Sequence, residues 1–192
     1  MKAPSSTDPR VVRTRAALRQ ALISLILERG WDAVGIHDIC QRAQIGRSTF
    51  YTHFADKEEL LLVGFDELRR WLRGSRAAGS PEGFRFTRGL LEHAHENRRL
   101  FRALVGKRSS LAVQRRFLQL IVELIADELE QPDEPTLNYL AGALFQLVFW
   151  WLEARKPLPP AELEAIFQRL SAPVLLAARA AKGAWSRAPA RV

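Results

Sequence analysis

Apolar residues recur at helical spacing along most of the chain, and no segment alternates apolar and polar residues between hairpin turns. The expected fold is therefore all-α. Asp8-Pro9 reads as an N-cap followed by proline at the first helical position. Val11, Val12, Leu18, Leu22, Ile26 and Leu27 follow at helical spacing up to a capping Gly30. A short helix is predicted over 36–43, with Ile39 and Ala43 inward and Asp38 in the first turn, where negative charge suits the helix dipole. Gln44-Ile45-Gly46 makes a tight connection to a second short helix, 47–53. Asp56-Lys57-Glu58-Glu59 places a glutamate three residues after a capping aspartate, the pattern of a capping box. It opens a helix that turns Leu60, Leu61, Phe65, Leu68 and Leu72 inward and ends near Gly74.

Residues 74–83 are rich in glycine, serine and proline and mark a domain boundary, with Ser80-Pro81 as a cap for the next helix. The predicted organisation is an N-terminal helical domain over 10–73, a C-terminal helical domain over 80–182, and flexible tails at 1–9 and 183–192. Within 84–182, breaks are expected near Asn97, 106–110, 131–135 and 156–160, and Pro173 is expected to kink or interrupt the last helix.

Composition narrows the class. The chain has 192 residues, 47% apolar and 26% charged, the mix of a globular protein. Its single cysteine, Cys40, makes no internal disulfide and reads as a small core residue. No apolar run opens the chain, and the longest candidate for a membrane span, Leu137 to Leu152, is 16 residues with Asn138 and Gln146 inside it. The expected location is the cytoplasm. The net charge is +8, with residues 1–57 at +4, 58–178 at zero and 179–192 at +4. Basic ends on a neutral body point to a polyanion, nucleic acid first. Arg10, Arg13 and Arg15 crowd the start of the first helix, where the dipole disfavours cations.

The candidate chemistry lies in residues 35–54, GIHDICQRAQIGRSTFYTHF. Two short helices joined by a few residues, the second opening with small polar groups, is the plan of a helix-turn-helix, whose second helix enters the major groove of duplex DNA. There Arg47 can grip a guanine edge bidentately, and Ser48 and Thr49 can reach bases or phosphates. Tyr51, His53 and Lys57 offer polar ends suited to phosphate oxygens.

This segment resembles the DNA-binding domain of the TetR family of transcriptional regulators. The resemblance covers residues 10–73 and rests on Glu28-Arg29-Gly30-Trp31, on Ile36-His37-Asp38-Ile39, on the run from Ala43 to Phe54, and on Asp56 to Leu61. It implies a homodimer that binds DNA through three N-terminal helices and carries a C-terminal ligand and dimer domain. By position it makes Arg47, Ser48 and Thr49 the base-reading residues. It makes Tyr51, His53 and Lys57 phosphate contacts, adds His37 as a DNA contact, and places Phe50 and Phe54 in the packing. Three positions depart from the family pattern: Gly35 stands for a capping Thr or Ser, Gln44 for the turn glycine, and Gly46 for a common Ser.

The C-terminal half shows no catalytic grouping and no phosphate-binding glycine loop, so neither an enzyme nor a cofactor is expected. Glu92, His93, His95 and Glu96 look like metal ligands at first, but His93 and His95 point to different sides of a helix, and a polar face fits them better. No metal is expected. Phe101, Phe117, Ile121, Phe145, Phe149 and Trp150 are candidates to line an apolar pocket for a small-molecule effector, or else are core. Gln146 is a lone polar group in the apolar helix 140–152 and could orient that ligand or bond across a dimer. The resemblance implies that the last two long helices form a four-helix dimer interface. Ala141, Leu144, Val148, Trp151, Phe167 and Leu170 are the candidates for it, against the alternative of one large monomeric core. The expected function is a ligand-responsive repressor that reads a palindromic operator as a dimer. The alternative is a DNA-binding or protein-interaction module without sequence preference or effector.

Overall fold

The computed structural model describes residues 8–74, 84–107, 109–129 and 132–185. Residues 75–83 of the boundary expected at 74–83, with its Ser80-Pro81 cap, most of the tails, and residue 131 of the break expected at 131–135 lie outside the described residues. Among the described residues the structure is helical, with nine helices: α1 (Pro9–Arg29), α2 (Ile36–Ala43), α3 (Arg47–His53), α4 (Lys57–Gly74), α5 (Phe86–Glu96), α6 (Arg98–Val105), α7 (Leu111–Glu128), α8 (Glu134–Glu153) and α9 (Pro160–Trp185). None of them is long and apolar enough to cross a membrane.

The chain forms two compact units, residues 1–70 with 97–117, and residues 71–96 with 118–192. In the first unit, α1 starts as its caps dictate: the Asp8 carboxylate accepts the Arg10 N–H at 2.8 Å and Pro9 occupies the first helical position. Gly30 ends it at φ +80°, a backbone conformation that favours glycine. Leu18, Leu22, Leu25 and Ile26 form its buried stripe, at the i, i+3, i+4 spacing of one helix face. α2 packs on α1, and so does α6. Phe101, Leu104, Val105, Val113 and Phe117 are buried, which is why residues 97–117 group with the N-terminal helices although the sequence placed them in the C-terminal domain.

In the second unit, α9 packs on α5 and on α8. The first turn of α5 is held by side chains distant in sequence. The Glu128 carboxylate accepts the N–H groups of Arg85 and Phe86 at 2.8 and 3.1 Å. Gln168 accepts the Phe84 N–H at 3.0 Å and donates to its carbonyl at 2.8 Å. The buried Thr87 hydroxyl donates to the Phe84 carbonyl at 2.7 Å. These bonds satisfy donors that a helix start leaves unpaired. Gly89 permits a close approach, since a Cβ there would stand 3.1 Å from Leu72 Cδ2.

Pro173 does not interrupt the last helix. α9 continues through it to Trp185, three residues into the expected tail. Proline lacks an N–H, so the carbonyl four residues back loses one intrahelical partner, but the buried Phe167, Ser171 and Leu175 on either side hold the helix to the core.

Candidate nucleic-acid interface

The bend between α2 and α3 is set by its backbone. Ile45 N–H donates to the Cys40 carbonyl at 3.0 Å and Gln44 N–H to the Gln41 carbonyl at 3.2 Å. This pair of bonds closes a helix end around a residue in the left-handed region. That residue is Gln44, at φ 56° and ψ 38°, where glycine is the usual occupant. At the other end of α2, Gly35 has no side chain to cap with, but its N–H donates to Asp38 Oδ2 at 3.0 Å. That bond, followed by the Arg29 guanidinium, holds the Asp38 carboxyl below its ordinary range. Arg42 braces α2 to α1 with two bonds of 2.7 Å to the Glu28 carboxylate and a third to Ser24 Oγ. The Arg42 hydrogen bond is the main reason that the Glu28 carboxyl also sits low. The α1–α2 cleft of about 410 Å³ is lined by Leu25, Arg29, Asp38, Gln41, Arg42 and Gln44. Its two arginines are spent on Asp38 and Glu28.

α3 is pinned from below and open above. Phe50 is fully buried and Phe54 nearly so, their rings 5.8 Å apart. Burying one such side chain is worth about 1.5–3 kcal/mol. Arg47, Ser48 and Thr49 are exposed on the opposite face, and Tyr51 is 51% exposed with its ring edge-on to Phe50 at 5.5 Å. Thr52 turns its hydroxyl back onto the Thr49 carbonyl at 2.6 Å, which withdraws it as a donor. His37 is exposed in the first turn of α2, and His53 is half-buried beside Phe54, with ring centroids 6.4 Å apart.

Lys57 stands differently from the other expected phosphate contacts. Its ammonium donates to the carbonyls of Trp31 and Val34 at 3.1 and 2.9 Å and lies 4.5 Å from the centre of the Trp31 ring. It therefore ties the start of α4 to the loop between α1 and α2, with one of its three N–H donors left over. Two further residues of the site lay outside the sequence reading of α2 and α3. Arg15 of α1 rests its guanidinium over the Phe54 ring at 5.2 Å, bracing the end of α3. Arg42 braces α2, and the only sequence signal for it is the helix period that puts Ser24 and Glu28 on one face of α1. Cys40 is buried, and burial pushes its thiol up.

Residues 18–63 match the family of bacterial regulatory proteins of the tetR family, and residues 84–172 match a transcriptional regulator C-terminal region. The chain belongs to the TetR family. The match to the family's helix-turn-helix domain runs from within α1 into α4, and the chain is a DNA-binding transcriptional regulator. It is similar to an uncharacterised HTH-type transcriptional regulator, YxbF, of Bacillus subtilis (strain 168), at 47% identity over 55 residues, which span 28% of this chain and 14% of that protein. Among solved structures it resembles a TetR-family regulator from Streptomyces coelicolor A3, at 20% identity and a TM-score of 0.68, over 88% of this chain and 98% of that one. It also resembles a TetR regulator from Streptococcus agalactiae 2603V, at 21% identity and a TM-score of 0.66, over 84% and 94% of the two chains.

In this TetR-family chain five of the six expected dimer residues are buried within the second unit. Ala141, Leu144, Val148 and Trp151 are fully buried in the core of the second unit, and Phe167 of α9 is 1% exposed. A side chain without exposed surface in one subunit has none to offer to a partner. Of the six candidates, Leu170 alone is open, at 59%. Of the expected ligand residues, Gln146 is exposed and Trp150 is 52% exposed. Phe145 and Phe149 are half-buried, stacked at 6.4 Å on the flank of α8. Ile121 is fully buried in the second unit, and Phe101 and Phe117 pack edge-on at 5.9 Å in the first. His93 and His95 lie against Trp71 and Trp151, at 5.5 and 5.8 Å between ring centres, and burial holds His93 below its ordinary pKa. Among the described residues, no three His, Cys, Asp or Glu side chains come together as metal ligands.

Proposed function

We propose that this regulator is a ligand-responsive repressor that binds a near-palindromic operator as a homodimer in the cytoplasm. The observation that carries the reading is the two-sided α3: Phe50 and Phe54 fix one face, and Arg47, Ser48 and Thr49 stand free on the other. In that reading Arg47, Ser48 and Thr49 meet base edges, and His37, Tyr51, His53 and the remaining donor of Lys57 meet phosphates. No catalytic step enters this function.

The dimer is proposed on the open faces of α8 and α9. Tyr139, Gln146 and Trp150 share a stripe at helical spacing on α8, and Leu170 and Leu176 are exposed on α9. Large exposed apolar side chains gathered on two helices are the mark of an interface. Gln146 then has a polar partner across the dimer. Two α3 helices reading successive major grooves require half-sites about 34–36 Å apart. An effector opposes binding only if it prefers a spacing that does not fit DNA. The half-exposed Phe145 and Phe149 offer the second unit an apolar face for such a ligand.

Fluorescence anisotropy at fixed physiological salt tests this, with a duplex from upstream of the regulator's own gene against a scrambled duplex. The reading requires scramble-sensitive binding at two subunits per site. Equal weak binding of both, repeated with duplexes from neighbouring promoters, would favour a binder without sequence preference.

A further inference from the structure

The two units do not share the net charge of +8. The first carries 18 Lys and Arg against nine Asp and Glu, a net of +9, and the second carries 11 against 12. Within the first unit the helix-turn-helix portion contributes little, since residues 1–70 hold 11 basic and nine acidic side chains. Residues 97–117 hold seven basic side chains and no acidic one. Over residues 58–178 the charges sum to zero, because most of the acids that offset this block belong to the other unit.

Most of the positive charge of the DNA-binding unit therefore lies on α6 and the head of α7. Arg99, Arg102, Lys107, Arg115 and Arg116 are exposed. Arg98 and Arg99 occupy the first turn of α6, where the dipole disfavours cations, and like charges this dense repel one another. Three arginines of α1 and α2 are matched to carboxylates: Arg19 to Glu67, Arg29 to Asp38, Arg42 to Glu28. The block lies on two helices and the turn between them, so it suits a ligand whose charge is also spread out. The phosphate backbone of a duplex is such a ligand, and each phosphate it neutralises releases condensed counterions.

We infer that α6 and the head of α7 form a second phosphate-binding surface, which holds duplex DNA outside the base pairs that α3 reads. This rests on the DNA-binding role of the same unit. It adds affinity and salt dependence but no sequence preference, because phosphate contacts carry no base information.

The test compares the wild type with the triple variant Arg99→Gln, Arg115→Gln, Arg116→Gln on two duplexes selected from a random-sequence pool. One is trimmed to the half-sites, and the other carries about 10 further bp on each side, roughly one helical turn. The observable is the slope of log K against log salt concentration. On the long duplex the variant's slope is expected to be shallower by about 0.9 for each phosphate that the variant no longer neutralises. On the trimmed duplex the two proteins should agree, and binding of the wild type there reports operator reading independently. The corresponding triple Arg→Lys variant keeps the charge and should retain the wild-type slope. Equal slopes on the long duplex would overturn the inference. So would the same change on both duplexes, which would mean a field acting on the operator and not a separate contact. Single Arg99→Gln and Arg116→Gln variants give the same readout in smaller steps if the triple variant folds poorly.

Discussion

Gln44 gives the sharpest test of how this helix-turn-helix is built. It holds φ 56° and ψ 38° at the end of α2, and it is the one non-glycine with positive φ among the described residues. A residue with a Cβ loses about 1–2 kcal/mol in that conformation. Its side chain is exposed and takes part in no bond that fixes the turn; the bonds that do come from the main-chain N–H groups of residues 44 and 45. Gln44→Gly should remove the penalty while keeping those bonds. The greater freedom of glycine in the unfolded chain offsets about 0.5–1 kcal/mol of the gain. The net expectation is a stabilisation of about 0.5–1 kcal/mol, or a rise of about 0.25–0.5 M in the urea midpoint for an m-value near 2 kcal/mol/M. Urea unfolding followed by circular dichroism, at one protein concentration, reads this directly. Gln44→Ala is the control, because alanine keeps the Cβ and should gain nothing. A glycine variant no more stable than the alanine variant would refute the argument that the left-handed residue is strained.

Lys57→Met should destabilise the fold by about 1–3 kcal/mol, since two partly buried carbonyls lose a charged donor. Unchanged thermal stability with uniformly weaker DNA binding would make Lys57 a phosphate contact alone. The carboxyls of Asp38 and Glu28 both lie below their ordinary values. A depressed carboxyl contributes stability above its unfolded pKa and loses it as pH falls through the folded one, so acid unfolding below about pH 4.5 should be shallower in Asp38→Asn and Glu28→Gln. A pH–stability curve identical to wild type would remove both from the acid response. Leu170→Glu and Trp150→Glu should yield folded monomers by sedimentation, whereas Leu144→Ala should cost about 2–5 kcal/mol of stability, the usual range for a buried leucine. A dimer that survives both glutamates would place the interface elsewhere. Arg47→Ala should weaken operator binding by about 1–3 kcal/mol and relax preference at one base pair, as read by competition among single-base variants of the operator.

What was legible in the sequence was what local rules decide. α2 and α3 begin and end where apolar spacing and capping put them, at Ile36–Ala43 and Arg47–His53, and α1 starts on Asp8-Pro9. Phe50 and Phe54 went to the core because helical spacing puts them on one face. What local rules do not decide was missed. α8 is apolar nearly all round, so no polar side tells which face meets the core, and it is Trp151 that is buried while Trp150 is half exposed. The carbonyls that hold Lys57 are 26 and 23 residues away in sequence. The basic block at 97–117 was visible in the sequence, but only the fold shows that it belongs with the DNA-binding helices and not with the acids around it. Pro173 failed to break α9 because tertiary packing outweighs one lost bond.

The central claim, that α3 reads base sequence as one of a symmetric pair, is tested most directly by selection of duplexes from a random pool at physiological salt. The account expects one enriched, near-palindromic site with half-sites about 10 bp apart, centre to centre. It expects that enrichment to be lost with Arg47→Ala. A pool that stays random through successive rounds, with wild-type protein that binds duplex DNA throughout, would contradict it.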